Sequence, residues 1–207
     1  MQRLRVDPVS PDPIVLQQAV TLLKSGAVIA FPTDTLYGLA ADAHNPGAVE
    51  VVFSVKGRAH ESALPLIAAD RSQVEAQVGR LSPRARRLAE AFWPGPLTLI
   101  VDAWPSIAAA VHRGRGRVAV RVPNHEVARA LARLASVPLT ATSANPHGHA
   151  AAITADEVMA HLPLVSLVVD AGPTPGGAPS TIIDVVGDDV RLVRAGAVPW
   201  ERVLEFL

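Results

Sequence analysis

Apolar and polar positions along the chain switch repeatedly between a helical and an extended period, and Pro, Gly, Asn and Ser mark the switches. Asp12 followed by Pro13 has the pattern of an N-cap and a first helical position. Ile14, Leu16, Val20, Leu22 and Leu23 follow, and Ser25-Gly26 ends the run with a C-terminal glycine. Residues 27–31 then predict a buried strand that stops at Pro32. Asn45-Pro46 opens a second helix through Phe53, Ser82-Pro83 a third through about Phe92, and Asn124 caps a fourth through about Leu134. Short apolar runs at 65–68, 97–101, 118–122, 138–141 and 167–169 predict strands between them. Residues 181–185 and 190–193 predict a hairpin across Gly187, and a last helix is predicted from about Trp200 to Leu207.

Strands alternating with helices argue for an α/β fold, and the late hairpin argues for a mixed sheet. Neither a repeat nor a linker divides the sequence, so a single domain over 1–207 is expected. The stretch Gly172-Pro-Thr-Pro-Gly-Gly-Ala-Pro179 has linker composition, but too little chain follows it for another domain. We therefore assign it as a loop over the core.

Composition narrows the function classes. Apolar residues make up 49% of the 207 and charged residues 18%, enough to build a large core and unlike a disordered chain. The 19 basic and 19 acidic side chains balance, so attraction of the whole molecule to nucleic acid or anionic membrane has no support. Any anion binding must be local. The absence of cysteine excludes disulfides, thiolate zinc sites and a cysteine nucleophile. No apolar run approaches the ~20 residues that span a bilayer, and the N-terminus lacks a signal-peptide core, so a soluble cytoplasmic protein without membrane partners is expected. His147-Gly-His149 could bind a metal only with ligands from elsewhere, and no protein metal site is expected. Phosphate loop, dinucleotide fingerprint and nucleophile elbow are all missing.

What remains is polar chemistry at strand ends, where α/β sheets bind ligands. Phe31-Pro-Thr-Asp-Thr-Leu-Tyr-Gly38 puts two hydroxyls and a carboxylate after a buried strand, although hydrogen bonds within a tight turn would explain them equally. Lys56-Gly57-Arg58 sets a point charge beside a planar fork, suited to a polyphosphate or simply to a helix C-terminus. Arg121 lies in an apolar strand and requires an anionic partner, either a core carboxylate or a ligand. Nearby strand-end polar residues favour the ligand. Thr142, Ser143 and Asn145 end a short strand with groups suited to a nucleotide, or with a capped turn. Ser180 enters the first strand of the hairpin and Arg194 leaves the second.

Taken in order, PTDTLYGL, KGR, WPGPLTLIV, VAVRVPNH, TSAN, PSTIIDV and LVRAG resemble the YrdC-like family of threonylcarbamoyl-adenylate synthases, over about Val28 to Gly196. The resemblance implies a twisted mixed sheet flanked by helices around a concave basic cleft. It implies formation of threonylcarbamoyl-AMP and pyrophosphate from L-threonine, bicarbonate or CO2, and ATP with Mg²⁺, for the t6A modification of tRNA at position 37. Lys56 and Arg58 would hold phosphates and serve catalysis, and Ser62, Arg117, Ser143, Asn145 and Arg194 would complete the ATP site. Thr35, Arg121 and Ser180 would bind threonine, with Arg121 on its carboxylate. tRNA and other proteins of the t6A pathway are the further partners implied. The chain departs from the family at Ala59, where proline is common, and at His60-Glu-Ser62-Ala63.

Two other functions compete. One is a non-catalytic RNA-binding or ribosome-maturation module using Arg113, Arg115 and Arg117, or Arg84, Arg86 and Arg87; zero net charge and 4% aromatics weigh against it. The other is a relative with a different adenylation substrate.

Overall fold

The computed structural model describes residues 1–57, 63–187 and 190–207. The chain begins with β1 (Gln2–Arg5), α1 (Pro13–Lys24), β2 (Ile29–Pro32) and β3 (Tyr37–Ala40). Then come α2 (Pro46–Lys56), β4 (Leu66–Ile67) and a short α3 (Arg71–Gln73) that runs into a π-helical turn at Val74–Val78. β5 (Gly79–Arg80), α4 (Pro83–Phe92), β6 (Leu97–Ala103), α5 (Ala109–His112), β7 (Arg117–Arg121) and α6 (Glu126–Ala135) follow. After β8 (Leu139–Thr140) and β9 (Thr142–Ser143) the chain runs through α7 (Ala155–His161) and β10 (Leu167–Asp170). β11 (Thr181–Asp184), β12 (Arg191–Arg194) and α8 (Trp200–Leu204) come last.

Local chemistry starts the helices where the sequence places them. Asp12 accepts the Ile14 N–H at 2.8 Å, Asn45 the Ala48 N–H at 3.2 Å and Ser82 the Ala85 N–H at 3.2 Å, each with proline next in sequence. These bonds satisfy amide groups that have no partner within the helix. α2 extends past Phe53 to Lys56, because Gly57 at φ 58° supplies the left-handed cap. α6 is capped by His125 rather than Asn124, without a side-chain hydrogen bond.

The strands form two mixed sheets. The first has the order β1-β10-β2-β3-β9 and the second β12-β11-β6-β7-β4-β8, with β5 added alongside β6. In the second sheet β11 runs parallel to β6, while β6 and β7 are antiparallel with Leu99 opposite Val120. The predicted hairpin is present as β11–β12, with a register shift between Ile182 and Ile183. α1 and α6 bury Leu16, Val20, Leu23, Val127 and Leu131 against Ile29 and Phe31 of β2. A larger core joins Val52 and Phe53 of α2, Leu88 of α4, Leu99 of β6 and Val120 of β7. Each such side chain contributes about 1.5–3 kcal/mol on burial. These clusters therefore hold the frame, and the polar groups between the sheets are left to function. No described helix is long and apolar enough to cross a membrane.

Candidate active site

One short segment ties the sheets together. The chain leaves the second sheet at β8, passes Ala141 and enters the first at β9, where Ser143 pairs with Gly38. A cleft of about 580 Å³ lies beside this crossing, lined from both sheets. The pleat of the second sheet supplies its floor. Thr98 and Ile100 of β6, Ala119 and Arg121 of β7, and Ser180 and Ile182 at β11 are spaced by two and line the cleft. Arg121, Thr98 and Ser180 make one end of the floor polar, while Ala119 and Ile100 make the other apolar and Ile182 flanks Thr98.

At the polar end, Arg121 is only 8% exposed. Its Nη1 donates to Asp34 Oδ1 at 2.7 Å, and its Nη2 to the hydroxyls of Thr33 at 3.2 Å and Thr35 at 3.3 Å. The anionic partner that the buried arginine requires is thus the core carboxylate Asp34, and the guanidinium still lines the cleft. Thr33 also closes the turn after β2, accepting the Thr35 and Leu36 N–H groups and donating to the Leu36 carbonyl. That local closure explains why Thr35 points back toward a strand 86 residues away.

Arg194 enters from β12 and donates through Nη2 to the Ser180 carbonyl at 2.7 Å and to the Ser180 hydroxyl at 3.1 Å. That hydroxyl also meets Thr98 Oγ1 at 2.8 Å. Burial, together with the like charge of Arg121, holds the Arg194 guanidinium below its ordinary pKa. Two guanidiniums in one concavity create a local positive field in a molecule of zero net charge. Gly196 makes this arrangement possible: a Cβ there would lie 2.3 Å from the Pro179 carbonyl oxygen and 2.6 Å from Ser180 C.

Ser143 and Asn145 line the cleft from the crossing segment. Ser143 Oγ donates to Asn145 Oδ1, while Asn145 Nδ2 donates to the Pro146 and His149 carbonyls. Lys56 sits beneath this turn, 3% exposed. Its ammonium donates to the Ser143 carbonyl at 2.6 Å, the Asn145 carbonyl at 3.0 Å and Asn145 Oδ1 at 3.2 Å. Its own carbonyl accepts the His147 N–H at 2.9 Å. The fold thus joins Lys56 to Ser143 and Asn145 through direct hydrogen bonds. Lys56 does not line the cleft.

Arg58 and Ser62, together with the divergent segment between them, lie outside the described residues. Arg117 stands apart from the other candidates. It is on the same strand as Arg121, four residues or roughly 13 Å away, and it faces Asp184 at 3.6 Å and Asp102 at 3.9 Å. Thr35, Arg121, Ser180, Ser143, Asn145 and Arg194 are the predicted residues that converge on the cleft. Thr98, a lone hydroxyl in an apolar run, was not singled out from the sequence, and Asp34 was noted only as the carboxylate of the turn after β2, without a role of its own.

A family model described as "Telomere recombination" (Sua5/YciO/YrdC) matches residues 21–196. The chain is 37% identical over 199 residues to the "Threonylcarbamoyl-AMP synthase" of Bacillus subtilis, covering 95% of this chain and 58% of that protein. It is 39% identical over 184 residues to the Vibrio cholerae protein of the same name, covering 87% and 97% respectively. Among solved structures, "P. abyssi Sua5 complexed with L-threonine" superposes with a TM-score of 0.94 at 32% identity, over all of this chain and 61% of that one. E. coli YciO gives a TM-score of 0.88 at 25% identity over 100% and 99% of the two chains. This chain therefore belongs to the Sua5/YciO/YrdC family. It spans somewhat less than two thirds of the B. subtilis and P. abyssi proteins and nearly all of the V. cholerae one.

Proposed function

We propose that this protein is an L-threonylcarbamoyladenylate synthase, a nucleotidyltransferase acting on L-threonine, bicarbonate or CO2, and ATP. The observation that carries the proposal is the convergence of two guanidiniums, the buried Arg121 and the more exposed Arg194, in one cleft with the hydroxyls of Thr35, Thr98 and Ser180. Relatives named threonylcarbamoyl-AMP synthase, and a structural neighbour whose name includes L-threonine, support threonine as the amino-acid substrate.

In this proposal Arg121 binds the threonine carboxylate, and Thr35 and Ser180 flank the amino acid. Ser143, Asn145 and Arg194 position the nucleotide, and Arg58 and Ser62 extend the phosphate site. Lys56 supports the nucleotide wall by holding the Ser143–Asn145 turn. The threonine amine bonds to the carbon of CO2 and loses a proton, giving a carbamate. A carbamate oxygen then bonds to the ATP α-phosphorus as the bond to the pyrophosphate oxygen breaks, and pyrophosphate leaves. Neither step needs a side-chain nucleophile. Acceleration comes from holding the two substrates together and from cations placed where negative charge develops. Mg²⁺ would enter with ATP, held by phosphate oxygens and water; the polar side chains lining the cleft are cations, hydroxyls, an amide and an imidazole, with no carboxylate among the described residues, which fits a metal that brings its own ligands. The product would supply t6A formation on tRNA in the cytoplasm.

The test is release of pyrophosphate from ATP in the presence of bicarbonate and single amino acids. Release that depends on L-threonine is expected. No release with any amino acid overturns the enzyme assignment, and release with a different amino acid replaces the substrate.

A further inference from the structure

The carboxylate of Asp34 has two oxygens in different situations. Oδ1 accepts Arg121 Nη1 at 2.7 Å, whereas Oδ2 is buried without a hydrogen-bond partner. Nearby, His125 caps α6 without a side-chain cap bond, and its Nδ1 is likewise buried and unpartnered. Burial holds this imidazole below its usual pKa, and the Asp34 charge opposes that shift. Buried polar atoms without partners are uncommon in folded proteins and ask for an explanation. Here Asp34 stands directly against the arginine that lines the cleft, and its charge reaches His125.

Arginine carries its donors on a rigid planar fork, so the acceptors that hold one edge determine where the other edge points. Asp34 takes Nη1, and the Thr33 and Thr35 hydroxyls take Nη2. The Nε group makes no hydrogen bond among the described residues, and Arg121 lines the cleft. Asp34 also supplies the counter-charge that lets Arg121 remain buried within electrostatic reach of Arg194. A carboxylate in this place could act in two opposite ways. It could compete with a substrate carboxylate for the guanidinium, or it could fix the guanidinium plane so that the free edge meets the substrate. The three-point attachment, with the two threonines sharing the same edge, favours fixation.

We propose that Asp34 is a positioning residue for the amino-acid half of the site, holding Arg121 in the orientation that receives the substrate carboxylate. This inference rests on the functional assignment above. It is tested by isothermal titration of L-threonine and, separately, of ATP into the full chain carrying Asp34→Asn or Asp34→Ala. Asp34→Ala is expected to weaken L-threonine binding by at least tenfold. Asp34→Asn, which keeps an acceptor oxygen and the side-chain shape, is expected to recover part of that loss. ATP affinity is expected to stay within twofold in both. The same split in steady state is a raised KM for threonine at nearly constant KM for ATP. Unchanged or tighter threonine binding in either variant overturns the proposal, the latter showing competition. Parallel loss of threonine and ATP binding also overturns it, by showing a general structural role. Wild-type protein that binds no L-threonine overturns the functional assignment itself, and this inference falls with it. Wild type that binds while Asp34→Asn binds equally well overturns the inference alone.

Discussion

Lys56 illustrates how far a side chain's role depends on what surrounds it. A lysine ending a helix before Gly57-Arg58 invites assignment to a phosphate, yet its ammonium donates to three oxygens of the Ser143–Asn145 turn. Replacing it with methionine keeps the approximate shape but removes three charge-assisted hydrogen bonds and leaves the Asn145 carbonyl without a donor among the described residues. Lys56→Met is therefore expected to cost about 3 kcal/mol, measured by urea unfolding, together with a loss of pyrophosphate release. A lysine that served only phosphates would lose activity at constant stability. Gly196 is a second such residue. Its neighbours at 2.3–2.6 Å are all backbone atoms, which cannot rotate away. Gly196→Ala is expected to displace Ser180 and Arg194 and lower threonine-dependent pyrophosphate release at least tenfold, read in the same assay. Serine, arginine and asparagine at strand ends were legible as candidates from sequence. The pairing of Arg121 with Asp34 was not, because the two are 87 residues apart and local pattern carries no information across that distance.

At the level of elements, legibility followed the strength of local chemistry. The Asp12-Pro13, Asn45-Pro46 and Ser82-Pro83 pairs marked three helix starts that the structure reproduces. α7 was missed although its capping box, Thr154 with Glu157, is written in the sequence; it is only seven residues long and follows a Gly- and Ala-rich stretch. Thr154→Ala is expected to cost about 1 kcal/mol, seen as a lower urea midpoint, with activity unchanged because no residue of α7 lines the cleft. β4, β5, β8 and β9 have two residues each, too few to display an alternation. β3, by contrast, lies in a segment with the composition of a turn, and it becomes a strand because β2 and β9 pair with it on both sides.

For the molecule as a whole, the cleft exists because two sheets are joined at the β8–β9 crossing and both contribute walls. Ligands bound there should stabilise both sheets together. At about 100 times its Kd, a ligand specific for the folded state adds ~2.7 kcal/mol, which for a domain of this size raises Tm by roughly 5–10 °C. ATP and L-threonine are each expected to produce such a shift, checked by thermal unfolding, and to slow amide exchange in β3–β9 and in β11–β12 alike. Protection confined to one sheet would place the ligand outside the cleft.

The sequence alone determined the α/β alternation, the proline-led helix starts, the late hairpin and the set of polar residues available at strand ends. These follow from backbone geometry and side-chain chemistry acting over a few residues. Tertiary structure decided which of those residues meet. The register of β6, β7 and β11 brings Thr98, Arg121 and Ser180 to one end of the floor and carries Arg117 to the other, against Asp184. The crossing at Ala141 turns Lys56 under Asn145. Strand pairing fixes such meetings between residues far apart in the chain, and it is selected by burial of the whole core, which no single segment encodes.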